Sequence, residues 1–248
     1  MSEKYVNSIQ EYLDQDWQLG RRTSEPSQVV VPFDNYERIE KHYAQAGQDL
    51  FALSCLNGKT NGIYLELGCE TPTIINNTYL LEDKFSWKGV SVDINPIQHP
   101  KDPLSWEQRN SILLKEDCRL LDFDKIINLV DSNHFDYLSL DLEPALTTLE
   151  CLSNIPFDKV SFSVITYEHD AYSRGDFCKQ ESRKIMNKHG YKSICTDVIW
   201  HGNVFEDWYF NPKDVSYDRI QGLQSDNKEW TEILFKEEFY REFTGEYK

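Results

Sequence analysis

The sequence predicts an α/β fold in which a mostly parallel sheet ends in an antiparallel hairpin. Between residues 63 and 189, five apolar, strand-like segments alternate with helix-like segments. Parallel neighbouring strands need crossovers of this kind, whereas the two apolar segments after residue 190 are separated only by a short turn, as in a hairpin. The chain has 248 residues, 40% of them hydrophobic, so it is long enough for one large α/β domain with appendages.

The elements follow from periodicity and from the positions of glycine and proline. An amphipathic helix over residues 4–17 and a polar linker form an N-terminal arm (1–36), which precedes the main domain (37–215) and a helical extension (216–248). The arm is expected to pack against the domain; a lid and a contact between two copies of the chain are the alternatives. Predicted strands cover 63–67, 89–94, 111–114, 135–140, 160–166, 192–200 and 204–210, and predicted helices cover 50–56, 76–85, 123–130, 145–152, 176–189 and 229–243.

Charge and cysteine usage narrow the function classes. The formal net charge is -16, and Lys and Arg are scattered, so we expect no nucleic-acid partner. Six cysteines form no C-x-x-C pair, which indicates reduced core residues of an intracellular protein. No apolar run approaches the roughly 20 residues of a membrane span. The sequence therefore predicts a cytoplasmic protein with no membrane partner.

A glycine turn after the first strand predicts the ligand site. The strand 63–67 breaks at Gly68, a helix-like run follows, and the second strand ends at Asp93. Backbone N–H groups at such a turn can face a bound nucleotide, and an acid at the end of the next strand can accept hydrogen bonds from ribose hydroxyls. An ordinary turn glycine and turn acid are the alternatives. A nicotinamide dehydrogenase is disfavoured, because Gly68 does not begin a G-x-G-x-x-G motif.

Several motifs occur in order over residues 43–212. They are Tyr-Ala-Gln-Ala-Gly-Gln-Asp (43–49), Tyr-Leu-Glu-Leu-Gly-Cys (64–69), Asn-Thr-Tyr-Leu-Leu-Glu (77–82), Trp-Lys-Gly-Val-Ser-Val-Asp-Ile-Asn-Pro (87–96), Asp-Tyr-Leu-Ser-Leu-Asp-Leu-Glu (136–143), Ile-Thr-Tyr-Glu-His-Asp (165–170) and Phe-Glu-Asp-Trp-Tyr-Phe-Asn-Pro (205–212). Together they resemble the FkbM-type methyltransferases.

The resemblance implies a Rossmann-like class I methyltransferase fold with a seven-stranded sheet. It also implies S-adenosyl-L-methionine as donor and O-methylation of a hydroxyl on a sugar, glycan or other small metabolite. Two positions depart from the family pattern. Thr71-Pro72 replaces a further acid and glycine after the first turn, and Pro144 replaces a glycine. These departures support an alternative function, a catalytically impaired cofactor-binding or interaction module of the same fold.

Candidate cofactor-binding residues lie at the ends of the predicted strands and just before them. Gly68 is assigned to close backbone approach, Glu66 to the methionine end of the cofactor, Asp93 to the ribose and Asp117 to the adenine amino group, with helix capping as the alternative for Asp117. Asn77, in the third motif, and Gln48 are also assigned to the cofactor. Helix capping is an equal alternative for Gln48.

Candidate catalytic residues follow the fourth and fifth strands. Asp141 is predicted as base, acceptor-positioning group or metal ligand, and His169 as general base. Asp141, Glu168 and Asp170 together form a candidate site for Mg²⁺ or a similar ion. The alternative is that His169 and Asp170 only cap the strand and pair with each other. A homo-oligomer is compatible with the sequence.

Overall fold

A computed structural model of the protein describes residues 28–237. The predicted helix over residues 4–17 lies outside the described residues, as does the last part of the helix predicted over 229–243. The remaining predicted elements can be compared directly with the structure.

The described residues form one eight-stranded sheet in the order β3-β2-β1-β4-β5-β7-β6-β8. The strands are β1 (Ile63–Leu67), β2 (Lys88–Val92), β3 (Ile112–Leu114), β4 (His134–Leu140), β5 (Ser161–Glu168), β6 (Lys192–Trp200), β7 (Asn203–Phe210) and β8 (Ser225–Asp226). The first five are parallel, and β7 is antiparallel to both neighbours. This Rossmann-like arrangement confirms the predicted fold class. The sheet has eight strands and not seven, because the two-residue β8 pairs with β6.

The helices of residues 28–237 are short, and most of them lie between consecutive strands in the chain. They are α1 (Gln48–Cys55), α2 (Tyr79–Phe85), α3 (Phe123–Val130), α4 (Ala145–Asn154), α5 (Ala171–Arg174), α6 (Phe177–Lys188), α7 (Tyr217–Ile220) and α8 (Trp230–Leu234). Helix α2 begins three residues later than predicted. The Asn76 side chain explains this start, because its Oδ1 accepts hydrogen bonds from the backbone N–H groups of Thr78 and Tyr79.

The core consists of two main apolar clusters, one on each face of the sheet. Tyr64 and Trp208 belong to the first cluster, where the Phe51 ring of α1 stacks on Trp208 with centroids 4.5 Å apart. Leu65 and Phe135 belong to the second. The alternation of Tyr64 and Leu65 along β1 shows that both faces of this strand are buried, as expected for a central parallel strand.

Segments at both ends of the described chain pack into the first cluster. Val29 forms a β-bridge with Phe235, and both residues are buried. All six cysteines are buried and free, as their sequence positions predict. Among residues 28–237, the helices are too short or too polar to cross a lipid bilayer.

Candidate functional site

Four acidic residues and a glycine form a row at the carboxyl edge of the parallel strands. The register of β2, β1, β4, β5 and β7 places Asp93, Gly68, Asp141, Glu168 and Glu206 side by side in that order. We call these five residues the edge row. In open α/β sheets, ligands bind at this edge where the strand order reverses, which here is between β1 and β4.

Gly68 brings two backbone segments into contact in the middle of the edge row. Its φ is +89°, and a Cβ at this position would lie 1.7 Å from the carbonyl oxygen of Asp141. Its N–H donates to Val92 O at 2.8 Å, and Asp141 N–H donates to Leu67 O at 3.0 Å. Only glycine fits this close approach between the two backbone segments. The predicted close approach of Gly68 to a cofactor stays a prediction.

Asp93 organises the loops on either side of the glycine turn. Its Oδ2 accepts from the backbone N–H of Glu70 at 3.1 Å, and its Oδ1 accepts from that of Asn95 at 2.7 Å. A carboxylate has about four lone-pair sites, so each oxygen retains capacity for one further donor. The ribose role predicted for Asp93 is compatible with these bonds and stays a prediction.

Glu66 lies two residue positions before Gly68 on β1, in the interior. Its Oε2 accepts from Ser91 Oγ at 2.8 Å and from Thr78 Oγ1 at 3.0 Å, and the residue is only 1% exposed. Burial raises the pKa of the Glu66 carboxyl to about 7, although the Arg109 charge acts in the opposite direction. Protein groups therefore surround the Glu66 carboxyl, and its role at the methionine end of the cofactor stays a prediction.

The raised pKa of Glu66 predicts a specific pH dependence of stability. The unfolded carboxyl ionises near pH 4.5, whereas the folded one keeps its proton up to about pH 7. Unfolding therefore releases a proton in this window, and the free energy of unfolding falls as pH rises through it. A difference of this size corresponds to roughly 3 kcal/mol. We expect the Glu66→Gln variant to lose most of this decrease in the free energy of unfolding with rising pH.

Urea unfolding at pH 4.5 and pH 7.5 measures this effect. The exposed Glu37→Gln is the matched control, and it should retain the wild-type pH dependence. Equal pH dependence in the wild type and the Glu66→Gln variant would contradict the assignment.

Two predicted cofactor residues carry buried polar atoms without hydrogen-bond partners in the described part of the chain. Asn77 Nδ2 donates to Ser139 Oγ at 2.9 Å, which leaves Asn77 Oδ1 unpaired. Gln48 Oε1 accepts from the Ala46 N–H at 2.8 Å, which leaves Gln48 Nε2 unpaired. Gln48 is the first residue of α1. The Ncap position is occupied by Gly47, so Gln48 does not cap the helix from that position. Buried polar groups are rarely left unpaired, so these two atoms are candidates for ligand contacts.

The carboxyls of Asp141, Glu168 and Asp170 lie close to one another at the ends of β4 and β5. Glu168 is 9% exposed and Asp170 is 2% exposed. Burial raises the pKa of all three carboxyls, and the neighbouring Asp141 charge adds to the rise for Glu168. The pKa of Asp170 is raised to about 7 by burial and by the adjacent Glu143 charge. The sequence-predicted acids of β4 and β5 are therefore brought together.

His169 lies in the interior, and its role as general base stays a prediction. It is fully buried, and its Nδ1 accepts from the backbone N–H two residues later. Its Nε2 lies 3.5 Å from Asp207 Oδ1 and 3.9 Å from Asp197 Oδ1. These contacts give His169 a structural position between β5, β6 and β7, and Asp170 does not pair with its ring in these contacts.

The predicted Mg²⁺ site does not form. In residues 28–237, the group of three potential ligands whose atoms lie within 4.8 Å of one another is His169, Asp197 and Asp207, and not the predicted acids. That group is already neutralised, because Arg183 binds both oxygens of Asp207 at 2.7 and 2.8 Å and Lys179 Nζ lies 3.0 Å from Asp197. The donor sets present therefore do not fit a magnesium ion.

Asp117 follows β3 and caps a short 3₁₀ turn. Its Oδ1 accepts from the Arg119 N–H at 3.0 Å, and the Arg119 guanidinium binds both of its oxygens. These bonds hold the pKa of Asp117 at about 2. Asp117 also lines an open groove of about 550 Å³ together with Leu120 and Leu146. The capping alternative is thus observed, and the adenine role stays a prediction.

Three residues of this region were not selected from the sequence. Glu206 is fully buried within the edge row, and its Oε1 has no hydrogen-bond partner among the described residues. Tyr172 is 55% exposed, and partial burial together with the nearby Asp170 and Glu168 charges raises its pKa. Arg109 is buried beside Glu82, below the glycine loop. The adjacent acids Glu206 and Asp207 could have indicated buried acids here. Neighbouring residues of a strand face opposite sides of the sheet, so a strand buried on both faces must bury both of them.

Comparisons with known proteins give weak likenesses to methylases. No family model matches the sequence, and no curated protein matches it. A Clostridium thermocellum protein provisionally described as an rRNA methylase is 15% identical with a TM-score of 0.46, over 67% of this chain and 95% of that one. An rRNA methylase from Streptococcus thermophilus is 13% identical with a TM-score of 0.42, over 66% and 93%.

A third solved structure is the N-terminal domain of EvdMO1 with SAH bound. It is 13% identical with a TM-score of 0.37, over 85% of this chain and 97% of that one. At these values the likenesses carry no argument about the chemistry of this chain. The fold assignment rests on its own strand order and register.

Proposed function

We propose that the protein is an S-adenosyl-L-methionine-dependent methyltransferase that methylates a hydroxyl of a sugar, glycan or other small metabolite. The observation that carries the proposal is the edge row, in which a glycine of restricted geometry lies between Asp93 and Asp141 at the point where the strand order reverses. The acidic net charge of -16 favours a small-molecule acceptor over a nucleic acid.

Each part of this edge has a separate role in the proposed reaction. S-adenosyl-L-methionine supplies an electrophilic methyl group when bound. Gly68 lets the backbone approach that ligand, and Asp93 retains acceptor capacity for its ribose hydroxyls. Asn77 Oδ1 and Gln48 Nε2 are the unpaired buried atoms available for its polar groups.

Asp141 is the proposed base for the acceptor hydroxyl. It is partly exposed, whereas Glu168 and Glu206 beside it are buried. Its raised pKa brings the carboxyl closer to neutral pH, where a general base is most effective. A protonated Glu168 can donate to the Asp141 carboxylate and so orient it toward the acceptor. General base catalysis of this kind contributes on the order of 10²–10⁴-fold.

Calorimetric titration with S-adenosylhomocysteine tests the proposal. We expect saturable binding to the wild type and at least tenfold weaker binding to Asp93→Ala, because the ribose loses its acceptor. We expect Asp141→Asn to lower methyl transfer to a hydroxylated acceptor and to change cofactor affinity little. The exposed Asp218→Asn, in α7, is the control. If both edge-row variants bound the cofactor and turned over like the wild type, the site assignment would be wrong.

The second candidate is an impaired cofactor-binding module of the same fold. It is favoured by Pro72, which offers no N–H to a ligand and whose carbonyl accepts a hydrogen bond from the buried Arg109. Saturable binding of S-adenosylhomocysteine without transfer to any acceptor in a panel of sugars and glycans would support this candidate. Transfer to one of them would exclude it.

A further inference from the structure

The loop after Gly68 holds two residues in a conformation that favours glycine. Residues 69–78, which we call the strained loop, contain no glycine. Within them, Glu70 has φ +39° and Ile75 has φ +53°. A β-branched residue such as isoleucine rarely adopts a positive φ, so this backbone is strained. Strain of this kind persists only where the surrounding groups hold the conformation in place.

The segment between β2 and β3 supplies groups that hold the strained loop. This β2–β3 connection covers residues 93–111, and the helical element within it is a short 3₁₀ turn, Trp106–Gln108. Its Ile97 N–H donates to Glu70 O at 2.8 Å, and its Asp93 Oδ2 accepts from the Glu70 N–H at 3.1 Å. Loops of this length with little secondary structure of their own are uncommon in compact domains, and many of them are functional.

Asp102 and Arg109 of the β2–β3 connection also bond to the strained loop directly. Asp102 accepts twice from Thr73, with its Oδ2 from the backbone N–H at 3.2 Å and with its Oδ1 from the hydroxyl at 2.7 Å. Arg109 NH1 donates to Pro72 O and, at 3.2 Å, to Asn76 Oδ1. Hydrogen bonds to charged groups are stronger than neutral ones. These bonds therefore fix the strained loop at three of its positions.

The strained loop leads to one of the proposed cofactor contacts. Asn77 is its next-to-last residue, and the buried Asn77 Oδ1 has no hydrogen-bond partner in the described part of the chain. The preceding Asn76 fixes the loop further, because its N–H donates to Tyr43 O at 3.2 Å and its Nδ2 donates to Thr71 O at 3.0 Å. The path of the loop from Gly68 onward therefore sets where the Asn77 amide lies relative to the edge row.

We propose that Asp102 and Arg109 are positioning residues, which hold the strained loop in the conformation that binds S-adenosyl-L-methionine. The inference rests on the proposed function, since it takes the cofactor to bind over Gly68. Pro72 serves as an anchor in this arrangement, because its carbonyl accepts from Arg109. Without the bonds to the β2–β3 connection, the loop would relax away from its positive φ values. The apparent affinity would then fall in proportion to the fraction of molecules that keep the binding conformation.

Calorimetric titration of Asp102 variants with S-adenosylhomocysteine tests the inference. Asp102→Ala removes both acceptors of Thr73 and keeps the buried ion pair of Arg109, and Asp102 is only half-buried, so the variant is expected to fold. It should bind about tenfold more weakly or worse, which corresponds to a binding-competent fraction of about one tenth or less. Asp102→Asn keeps one acceptor oxygen and should lose less affinity. The exposed Asp218→Ala should bind like the wild type.

Ile75→Gly distinguishes a positioning role from a general loss of stability. Glycine adopts a positive φ without strain, so a loop with this substitution depends less on the bonds to Asp102. In the Ile75→Gly background, Asp102→Ala should therefore weaken binding by about threefold at most. An equally large loss of affinity in both backgrounds would overturn the inference.

Hydrogen exchange without ligand gives a second readout of the same variant. Amides of residues 69–78 should exchange faster in Asp102→Ala than in the wild type, whereas those of β4 should exchange at the same rate. Unchanged exchange in residues 69–78 also overturns the inference.

The wild-type titration separates this inference from the proposed function. If the wild type does not bind S-adenosylhomocysteine, the methyltransferase is refuted, and the positioning role is refuted with it. If the wild type binds it and Asp102→Ala binds it equally well, only the positioning role is refuted and the methyltransferase stands.

Discussion

Gly68→Ala is expected to destabilise the protein by more than 4 kcal/mol or to prevent folding, an effect reserved for a few severe kinds of substitution. The added Cβ would lie 1.7 Å from the carbonyl oxygen and 2.7 Å from the carbonyl carbon of Asp141. Relief requires β1 and β4 to separate, since the contacting atoms belong to the backbone and cannot rotate away. The strand separation would also break the hydrogen bond from Asp141 N–H to Leu67 O.

Gly202→Ala is the matched control for this substitution. Gly202 has φ +78° in the β6–β7 turn, close to the +89° of Gly68, but a Cβ there would meet no atom within 4 Å. Its substitution therefore carries only the left-handed backbone strain, about 1 kcal/mol. Urea unfolding monitored by circular dichroism measures both variants. If Gly68→Ala and Gly202→Ala lowered the free energy of unfolding equally, the close approach at the edge row would not restrict position 68.

Local sequence patterns were sufficient to predict the five parallel strands to within two residues at each end. Each strand is an apolar run bounded by polar or glycine residues, so Gly68, Asp93, Asp141 and Glu168 could be placed at strand ends. Parallel topology then brings all carboxyl ends to one edge. The central part of the candidate site therefore follows from periodicity and connectivity.

The contribution of β7 could not be predicted in the same way. Glu206 reaches the edge row only because β7 inserts antiparallel between β5 and β6, with Glu206 paired to Glu168. The sequence predicts a hairpin, but it does not specify which strand of the hairpin pairs with β5 or in which register. The contacts of His169 with Asp197 and Asp207 could not be predicted for a related reason, since they depend on that hairpin.

Arg109→Met is expected to destabilise the fold by about 3–5 kcal/mol, the range for breaking a buried ion pair by removing one partner. The Arg109 side chain is fully buried, and its Nε lies 2.9 Å from Glu82 Oε2. Its NH2 group donates to Thr78 Oγ1 at 3.1 Å and to Tyr64 OH at 3.3 Å. The substitution leaves the Glu82 carboxylate buried without a counter-charge, and it releases the loop that follows β2 from β1 and α2.

Two further variants distinguish the effect of leaving a buried charge unpaired from the general effect of replacing an arginine. Arg119→Met removes an exposed pair with Asp117, and it should cost at most about 1 kcal/mol. The double variant Arg109→Met/Glu82→Gln should recover part of the loss, because no unpaired charge then remains in the interior. Urea unfolding at pH 7.5 measures all three. If Arg109→Met lowered the free energy of unfolding no more than Arg119→Met does, the ion-pair argument would be contradicted.

The stability loss in Arg109→Met should also grow with pH. The Arg109 charge acts to lower the pKa of Glu66, so its removal raises that pKa beyond about 7. The folded variant then retains the Glu66 proton to a higher pH than the wild type, while both unfolded chains lose it near pH 4.5. Stability therefore falls over a wider pH range in the variant. The difference in unfolding free energy between wild type and variant should be larger at pH 8 than at pH 5. A difference that does not change with pH would show that Glu66 and Arg109 are not electrostatically linked.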